Sequence, residues 1–151
     1  MTSSGYRGQL EVIVTDKKGN TFIYDTPNII TYGAAKVAAN VLVGDTTHTV
    51  TKMAVGTGST IPTRGDTQLQ TQIFETTGFL VTYPQIGAPL AEFGQIQFNV
   101  ILGNTHPTDG NILREVGLLT ANNILVARQV HAPIAKDTMF KVEYRWRIVF
   151  T

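Results

Sequence analysis

Cysteine is absent from the 151-residue sequence, and charged residues are scarce. The lack of cysteine excludes disulfide bonds, thiolate metal sites and cysteine nucleophiles. Charged residues make up 15% of the chain and nearly cancel, to a formal net charge of +1. No basic excess therefore indicates nucleic acid or an anionic membrane as a partner. No apolar run approaches the ~18–20 residues that span a bilayer, and no signal-peptide pattern opens the chain. We expect a protein kept soluble in a cytoplasm.

Large apolar and charged residues alternate near the carboxyl end, from Phe140 to Phe150. Because a strand turns successive side chains to opposite faces, this alternation predicts one long β-strand. Burying the large apolar residues of its inner face contributes about 9–18 kcal/mol gross, comparable to the net stability of a whole domain. We predict that the earlier strands pair with and pack on this one. Its inner face carries Phe140, Val142, Tyr144, Trp146, Ile148 and Phe150.

Shorter alternating segments, separated by turn residues, predict the other strands. Pro27 and Asn28 are expected to interrupt the strand pattern. Eight or so short strands predict an all-β fold, an antiparallel β-sandwich of jelly-roll or immunoglobulin-like type. We expect a single β-sandwich domain over residues 1–151, with residues 1–7 as a flexible N-terminal arm. The predicted strands are 9–15, 21–25, 50–55, 70–75, 79–83, 93–102, 112–120 and 124–130, with loops at 57–68, 84–90 and 103–111.

One segment changes to helical spacing and predicts one short α-helix near residues 31–43. Thr31 can cap its start, and Gly44 lies where a helix ends. Because the predicted inner face is mostly alanine, the helix is expected to lie close against a sheet. That face consists of Ala35, Ala38, Ala39 and Leu42, at the i, i+3, i+4, i+7 spacing.

A glycine-rich segment, residues 56–60, invites comparison with a phosphate-binding loop. The Walker pattern requires a lysine before the final Ser or Thr and a helix that directs its amides at the phosphate. Here Ile61 and Pro62 follow instead, and the third glycine of the dinucleotide fingerprint is missing. We interpret the segment as a connection between strands.

No cluster of residues predicts catalysis or metal binding, so we expect no catalytic, cofactor-binding or metal-binding residues and no cofactor. The histidines, His48, His106 and His131, have no second ligand at metal-binding spacing and are predicted to be solvent-facing loop residues. The acidic residues are spread over different predicted elements, so no spacing predicts a glycosidase pair. They are Asp45, Asp66, Glu75, Glu92, Asp109 and Glu115.

Charged residues on the outer face of the last strand form a row. Lys141, Arg145 and Arg147 share this face with Glu143. Such a row is most often the solvated side of an antiparallel sheet, although it could also meet an acidic partner or a phosphate backbone. Arg114 is predicted to form a local ion pair with Glu115, which contributes little if exposed.

Two stretches of the chain carry recognisable motifs. The first is Met53 to Leu69, with Gly-Thr-Gly, Pro-Thr and Asp-Thr-x-Leu elements. The second runs from Arg114 to Leu119, with a Glu-x-Gly-Leu element, through Leu125 to Val130, with an Ala-Arg element, and ends in the strand from Val142 to Phe150. Together they resemble small virion proteins of tailed bacteriophages. The resemblance covers about two-thirds of the chain, from residue 30 onward. Because the shared positions are strand and turn residues, it transfers no site residues.

The resemblance implies a non-enzymatic structural component of a tailed-phage virion. We favour a capsid decoration (cement) protein or a neck, tail or baseplate subunit over a receptor-binding tip. The expected partners are other virion proteins and further copies of the chain, as trimers or hexamers in the manner of such families. No small-molecule substrate, nucleic acid or membrane is expected as a partner. The expected location is the virion, assembled in the host bacterial cytoplasm.

A different class of function stays open, namely a glycan-binding or host-receptor-binding module of a phage fibre. Such a module needs exposed aromatic residues in its loops. Tyr6 and Tyr83 are the candidates, since Trp146 is assigned to the core.

Overall fold

Nine β-strands and one α-helix make up the computed structural model, which describes residues 6–77, 79–82, 94–103, 111–136 and 138–150. Every strand pairing within these residues is antiparallel. The elements are β1 (Tyr6–Asp16), β2 (Thr21–Ile30), α1 (Tyr32–Leu42), β3 (Val50–Gly56), β4 (Gln72–Thr76), β5 (Phe79–Thr82), β6 (Gln95–Leu102), β7 (Ile112–Thr120), β8 (Leu125–Ala135) and β9 (Phe140–Phe150), with a short 3₁₀ helix at Thr46–His48.

The strands are hydrogen-bonded in the order β4-β3-β7-β8-β2-β1-β9-β6-β5. Strand β2 connects two layers, because it pairs with β1 over residues 21–28 and with β8 only through Ile29 and Ile30. We call β2, β1, β9, β6 and β5 sheet A, and β4, β3, β7 and β8 sheet B. Apolar side chains from both sheets form one core cluster between them. The predicted antiparallel β-sandwich with a single short helix is therefore confirmed.

The long carboxyl-terminal strand, β9, lies inside sheet A between β1 and β6. Val142, Tyr144 and Trp146 are 0% exposed, and Ile148 is 5% exposed. The alternating pattern thus predicted the strand and the buried face formed by these four residues. Phe140, also predicted on that face, is partly buried, and the side chain of Phe150 lies outside the described part. A strand with partners on both edges and a fully apolar inner face holds its register, because a one-residue slip would turn that face to water.

The β1–β2 hairpin closes through an aspartate-based turn. The Asp16 carboxylate accepts hydrogen bonds from the backbone amides of Lys18 and Asn20, both at 2.9 Å. Gly19 adopts a φ of +84°, which glycine tolerates without strain. Strand β1 begins at Tyr6, so the arm predicted at residues 1–7 is wrong for its last two positions, and residues 1–5 lie outside the described part.

Pro27 and Asn28 do not end the second strand, contrary to the prediction. Strand β2 continues through them to Ile30. Proline is tolerated because its nitrogen points to the edge of β2 that faces away from β1, and no described strand pairs with that edge at residue 27. The Pro27 carbonyl faces the same edge and accepts a hydrogen bond from the Gln129 side chain of β8.

Helix α1 has the predicted position but not the predicted inner face. Ala34 is the buried residue and Val37 packs on the core, whereas Leu42 is 86% exposed. The reason is the anchor at the helix start, where Thr31 donates from both its backbone amide and its hydroxyl to carbonyls of β8. This anchor sets the rotation of the helix, so the row of residues facing the sheet is shifted by one position.

Several predicted features lie outside the described residues. They include the loop at 84–90, Tyr83, His106 and most of the loop at 103–111. The remaining predicted strands are present, with ends that differ by a few residues.

We expect Trp146→Ala to lower the free energy of unfolding by about 3–5 kcal/mol, because truncating a buried aromatic residue leaves a cavity in the core. Arg145→Ala is the matched control on the same strand, since the Arg145 side chain is 43% exposed. That control should change stability by less than about 1 kcal/mol. Chemical denaturation measures both. Equal losses would contradict the assignment of the two faces of β9.

Candidate functional site

The segment between β3 and β4, residues 57–71, lies over the outer face of sheet B, and we call it the covering loop. It contains most of the stretch that resembles phage virion proteins. Leu69 anchors it, being 3% exposed in a small apolar cluster on that face. This part of the outer face of sheet B is therefore buried, and seven residues of β7 and the first four residues of β8 are shielded from water. The cluster consists of Ala54, Leu69, Leu119 and Leu125.

A buried carboxylate, that of Glu115 on β7, holds the covering loop. The side chain of Glu115 is 0% exposed. It accepts backbone hydrogen bonds from Gly58 at 3.1 Å, Gln70 at 2.9 Å and Thr71 at 2.7 Å. Amides from both ends of the loop thus converge on one side chain. A buried carboxylate that accepts several amide hydrogen bonds retains its charge.

Arg128 of β8 provides the opposite charge. Its Nε and Nη2 atoms donate to Glu115 Oε2 at 3.0 and 2.9 Å. Its Nη1 atom donates to Asp66 Oδ2 at 3.0 Å, which adds the middle of the covering loop to the network. The predicted pairing of Glu115 with Arg114 is therefore wrong. Arg114 lies where the pairing of β7 with β8 is irregular, between Leu113 and Glu115, whereas Arg128 stands directly opposite Gly117 on the next strand, beside Glu115.

The network holds the pKa values of two carboxyl groups below their ordinary values. For Glu115, burial alone would raise the pKa, but the amides of Thr71 and Gln70 and the charge of Arg128 outweigh it. For Asp66, burial is likewise outweighed, by Thr63 and Arg128. Because both pKa values are lower in the folded chain, the stabilisation is present above the ordinary carboxyl pKa. It is lost as the pH falls through the folded values.

The glycines of the resembling stretch are explained by close packing. A Cβ atom at Gly58 would lie 2.6 Å from Glu115 Oε1, and one at Gly117 would lie 2.9 Å from Leu69 Cδ2. A Cβ atom at Gly56 would collide with the Thr71 carbonyl oxygen. Side chains at these positions would push the loop away from the sheet. The glycines therefore serve the contact between loop and sheet and do not form a phosphate site.

The chemistry available at this network is limited. Both oxygens of Glu115 and both oxygens of Asp66 accept hydrogen bonds from protein groups. An open groove of about 400 Å³ runs along the loop. Arg128 at its base is 2% exposed, and it donates its hydrogen bonds to Glu115 and Asp66. The arrangement fixes a loop and offers no unengaged carboxylate for acid–base catalysis.

A second groove, of about 190 Å³, lies on the outer face of sheet A. Several of its polar groups bind one another. Arg145 pairs with Glu11 at 3.2 Å, and Gln9 Nε2 donates to Asp25 Oδ1 at 2.8 Å. The charged row predicted on β9 is therefore on the outer face, where neighbouring strands supply partners. The groove is lined by Gln9, Glu11, Asp25, Gln97, Arg145 and Arg147.

His131 lies in the core between the two sheets, so its prediction as a solvent-facing residue is wrong. It is 8% exposed, and its Nε2 atom is 2.9 Å from the Tyr144 hydroxyl of β9. Its Nδ1–H group donates to the Ala132 carbonyl at 2.8 Å, so Nε2 of the neutral ring accepts a hydrogen bond from the Tyr144 hydroxyl. Burial lowers the pKa of His131. Burial also raises the pKa of Tyr144, which therefore remains a donor.

His48 differs from His131 in being partly exposed. Its Nδ1 atom is 2.9 Å from Oδ2 of Asp45, the residue that caps the start of the 3₁₀ helix in which His48 lies. Among the residues that the structure describes, no three His, Asp or Glu side chains are close enough to hold a metal ion. No helix within the same ranges has the length and hydrophobicity needed to cross a bilayer.

The Glu115–Arg128–Asp66 network was not predicted from the sequence. One signal was available, because Glu115 interrupts an otherwise apolar stretch in which neighbouring residues are buried on both faces.

Comparisons with protein-family models, with curated proteins and with solved structures found no match to this chain.

Glu115→Gln is expected to lower the free energy of unfolding by about 3–5 kcal/mol, because it removes the fully buried one of the two carboxylates that neutralise Arg128. The freed covering loop should also be cut faster by trypsin after Arg64, which is exposed. Glu75→Gln makes the same change at an exposed carboxylate and should leave both readouts near wild type. Unchanged stability and unchanged cleavage in Glu115→Gln would show that the pair does not hold the loop.

We expect the stability of the wild-type protein to fall as the pH drops below about 6.5, the ordinary pKa of histidine. The unfolded chain then binds a proton that buried His131 does not, and this slope can reach about 1.4 kcal/mol per pH unit. In His131→Gln, whose side-chain oxygen can accept from Tyr144, the slope between about pH 5 and 6.5 should be smaller. Identical slopes in wild type and His131→Gln would contradict the assignment.

Proposed function

We propose that this protein is a non-enzymatic structural component of a tailed-phage virion that stabilises the particle through protein–protein contacts. The observation that carries the proposal is the role of the resembling stretch, Met53 to Leu69. Its glycines and Asp66 serve the packing of the covering loop on sheet B. The resemblance to virion proteins therefore rests on residues that build a shape, as a structural protein requires.

The distribution of buried polar groups supports the same function. The ionised groups that the structure buries at the covering loop are neutralised by one another and by backbone amides. Sites of acid–base catalysis instead keep a titratable group unpaired in a cleft with a pKa near the working pH. The ionic network of Glu115, Arg128 and Asp66 is thus suited to holding the covering loop rigidly on sheet B.

Apolar side chains on the periphery provide surfaces for contact with neighbours. They lie on the β1–β2 hairpin, on α1 and on the covering loop, outside the two sealed layers. Exposed apolar surface of this kind marks protein–protein contact sites. They include Phe22, Ile23, Tyr24, Tyr32, Val41, Leu42, Val43 and Ile61.

The proposed mechanism is mechanical. Many copies bind their neighbours in the particle through these surfaces, and binding to the folded state stabilises both by mass action. A lasting contact of this kind buries more than about 1,000 Å². We favour a capsid decoration protein or a neck, tail or baseplate subunit, with other virion proteins and further copies of the chain as partners.

A glycan-binding module of a phage fibre is the second candidate. The groove on the outer face of sheet A favours it, because its amide, carboxylate and guanidinium groups are of the kinds that hydrogen-bond sugar hydroxyls. The exposed side chains of Gln9 and Asp25 lie on its rim. The aromatic residues expected for such a module, Tyr6 and Tyr83, have side chains outside the described part of the structure.

If the proposal is correct, the protein is recovered from purified particles of the phage that encodes it, at a fixed copy number. Quantitative mass spectrometry of gradient-purified virions gives this ratio to the major capsid protein. A phage-encoded enzyme that remains in the lysate provides the background. Recovery only in the lysate would reject the virion role, and specific binding of the isolated protein to a glycan array would favour the second candidate.

A further inference from the structure

The outer edge of β2 is open at the end of the molecule that carries the β1–β2 hairpin. Strand β2 pairs with β1 along residues 21–28, and its contact with β8 begins only at Ile29. Within the described ranges, no strand pairs with the other edge of β2 between Thr21 and Asn28. An open edge presents unpaired amides and carbonyls, which are a template for another strand.

The backbone groups that face this edge follow from two hydrogen bonds. Asp16 donates its amide to the Asn20 carbonyl at 3.0 Å, so even-numbered residues of β2 bond to β1. At the other end, the Pro27 carbonyl points toward β8 and accepts from Gln129. Because direction alternates along a strand, the groups facing outward are those of Thr21, Ile23 and Asp25.

The side chains along the edge are apolar and uncovered. Phe22 is 55% exposed, Ile23 is 60% exposed and Tyr24 is 40% exposed. The common protections of an edge strand are a lysine, a proline or a bulge. Residues 21–26 contain no lysine and no proline, and their register with β1 is regular. The only charge in this stretch is that of Asp25, which Gln9 already engages.

We infer that a second copy of this chain pairs with the β2 edge, antiparallel, about a two-fold axis through Ile23. In this register Ile23 faces its own counterpart, Phe22 faces Tyr24, and Thr21 faces Asp25. Every apolar side chain meets an apolar one, and the hydroxyl of Thr21 meets a carboxylate. Aromatic cross-strand pairs are among the more stabilising pairs in antiparallel sheets.

The neighbouring registers are less complementary, and this selects a two-fold about Ile23. A shift of the partner strand by two residues in one direction places Ile23 opposite Thr21 and Tyr24 opposite Asn20. A shift by two residues in the other direction places Ile23 opposite Asp25. A shift by two more residues in that direction places Asp25 opposite Asp25, where like charges repel. The proline at position 27 and the bond from Gln129 end the free edge, so the ladder cannot slide toward β8.

The inference goes beyond the virion role and does not depend on it, because it names the surface and the partner in the isolated protein. An isologous contact of this kind closes as a dimer. Trimers or hexamers then need a second interface, and a hexamer would contain three such dimers. Sheet A would continue across the axis into the sheet of the second copy.

Cysteine cross-linking tests the register directly, since the chain has no cysteine of its own. In a hydrogen-bonded antiparallel pair the Cα atoms are about 5.5 Å apart, within the range that a disulfide spans. We expect Ile23→Cys to form a covalent dimer rapidly under mild oxidation. We also expect a mixture of Thr21→Cys and Asp25→Cys to cross-link faster than either variant alone. The matched control is Ile101→Cys, on the same outer face but inside the sheet, because Ile101 is 62% exposed.

Sedimentation velocity tests the interface without a covalent bond. From about 1 to 200 µM, a range that suits a weak contact, the wild type should shift from monomer to dimer. Ile23→Lys and Ile23→Glu should each remain monomeric, because like charges meet on the axis. Their equimolar mixture should regain the dimer, and Ile101→Lys should behave as wild type.

Three results would overturn the inference. The wild type could remain monomeric over the whole range, or it could form an oligomer that Ile23→Lys and Ile23→Glu leave intact. Alternatively, Ile23→Cys could cross-link no faster than Ile101→Cys. Thermal melts check that the charged variants fold, and the cysteine variants keep the test decisive if a charged variant does not.

Discussion

The charge of Glu115 imposes the organisation of sheet B. A carboxylate without access to water retains its charge only if protein groups replace the lost hydration. The backbone amides at both ends of the covering loop and the guanidinium of Arg128 do so here. The loop must therefore lie flat on the sheet, and glycine is required wherever the backbone passes closest. A long connection without regular secondary structure is thereby attached to the sheet at several points.

This constraint gives the molecule three layers, although only two of them are sheets. Sheet A and the inner face of sheet B enclose the main core, to which strand β9 contributes Trp146 and Tyr144. The covering loop closes the outer face of sheet B around Leu69. The hydrogen bond between His131 and Tyr144 connects the sheets through the core, and it specifies their alignment more sharply than apolar packing alone.

The fold could be read from the sequence to the extent that its determinants are local. The alternation in β9 acts over neighbouring residues, and this strand appears as predicted. The inner face of α1 was mispredicted because Thr31, bonded to a strand about ninety residues later, sets the rotation of the helix. Pro27 was read as a strand end, since the sequence does not show that its nitrogen faces an edge without a partner.

The candidate site depends on non-local contacts, and little of it was predictable. Glu115 and Arg128 belong to adjacent strands, and Asp66 joins them from a loop 62 residues before Arg128. Nothing in their spacing indicates that they meet, and the neighbour of Glu115 in the sequence, Arg114, was the more obvious partner. His131 was assigned to a loop because β8 was predicted to end before it, whereas β8 continues to Ala135 and carries the ring inward.

The interior and the periphery of this protein meet opposite physical requirements. Inside, the ionic network at Glu115 and the hydrogen bond at His131 pair their polar groups, which favours one rigid arrangement. At the periphery, the β2 edge leaves backbone groups and the aromatic side chains of Phe22 and Tyr24 exposed to water. A stable monomer would gain solubility from a lysine at this edge, and the sequence has none between residues 21 and 26. Exposed strand-pairing groups on a rigid body are consistent with a building block whose surface is completed by neighbours, and the rigidity limits the entropy that such docking costs.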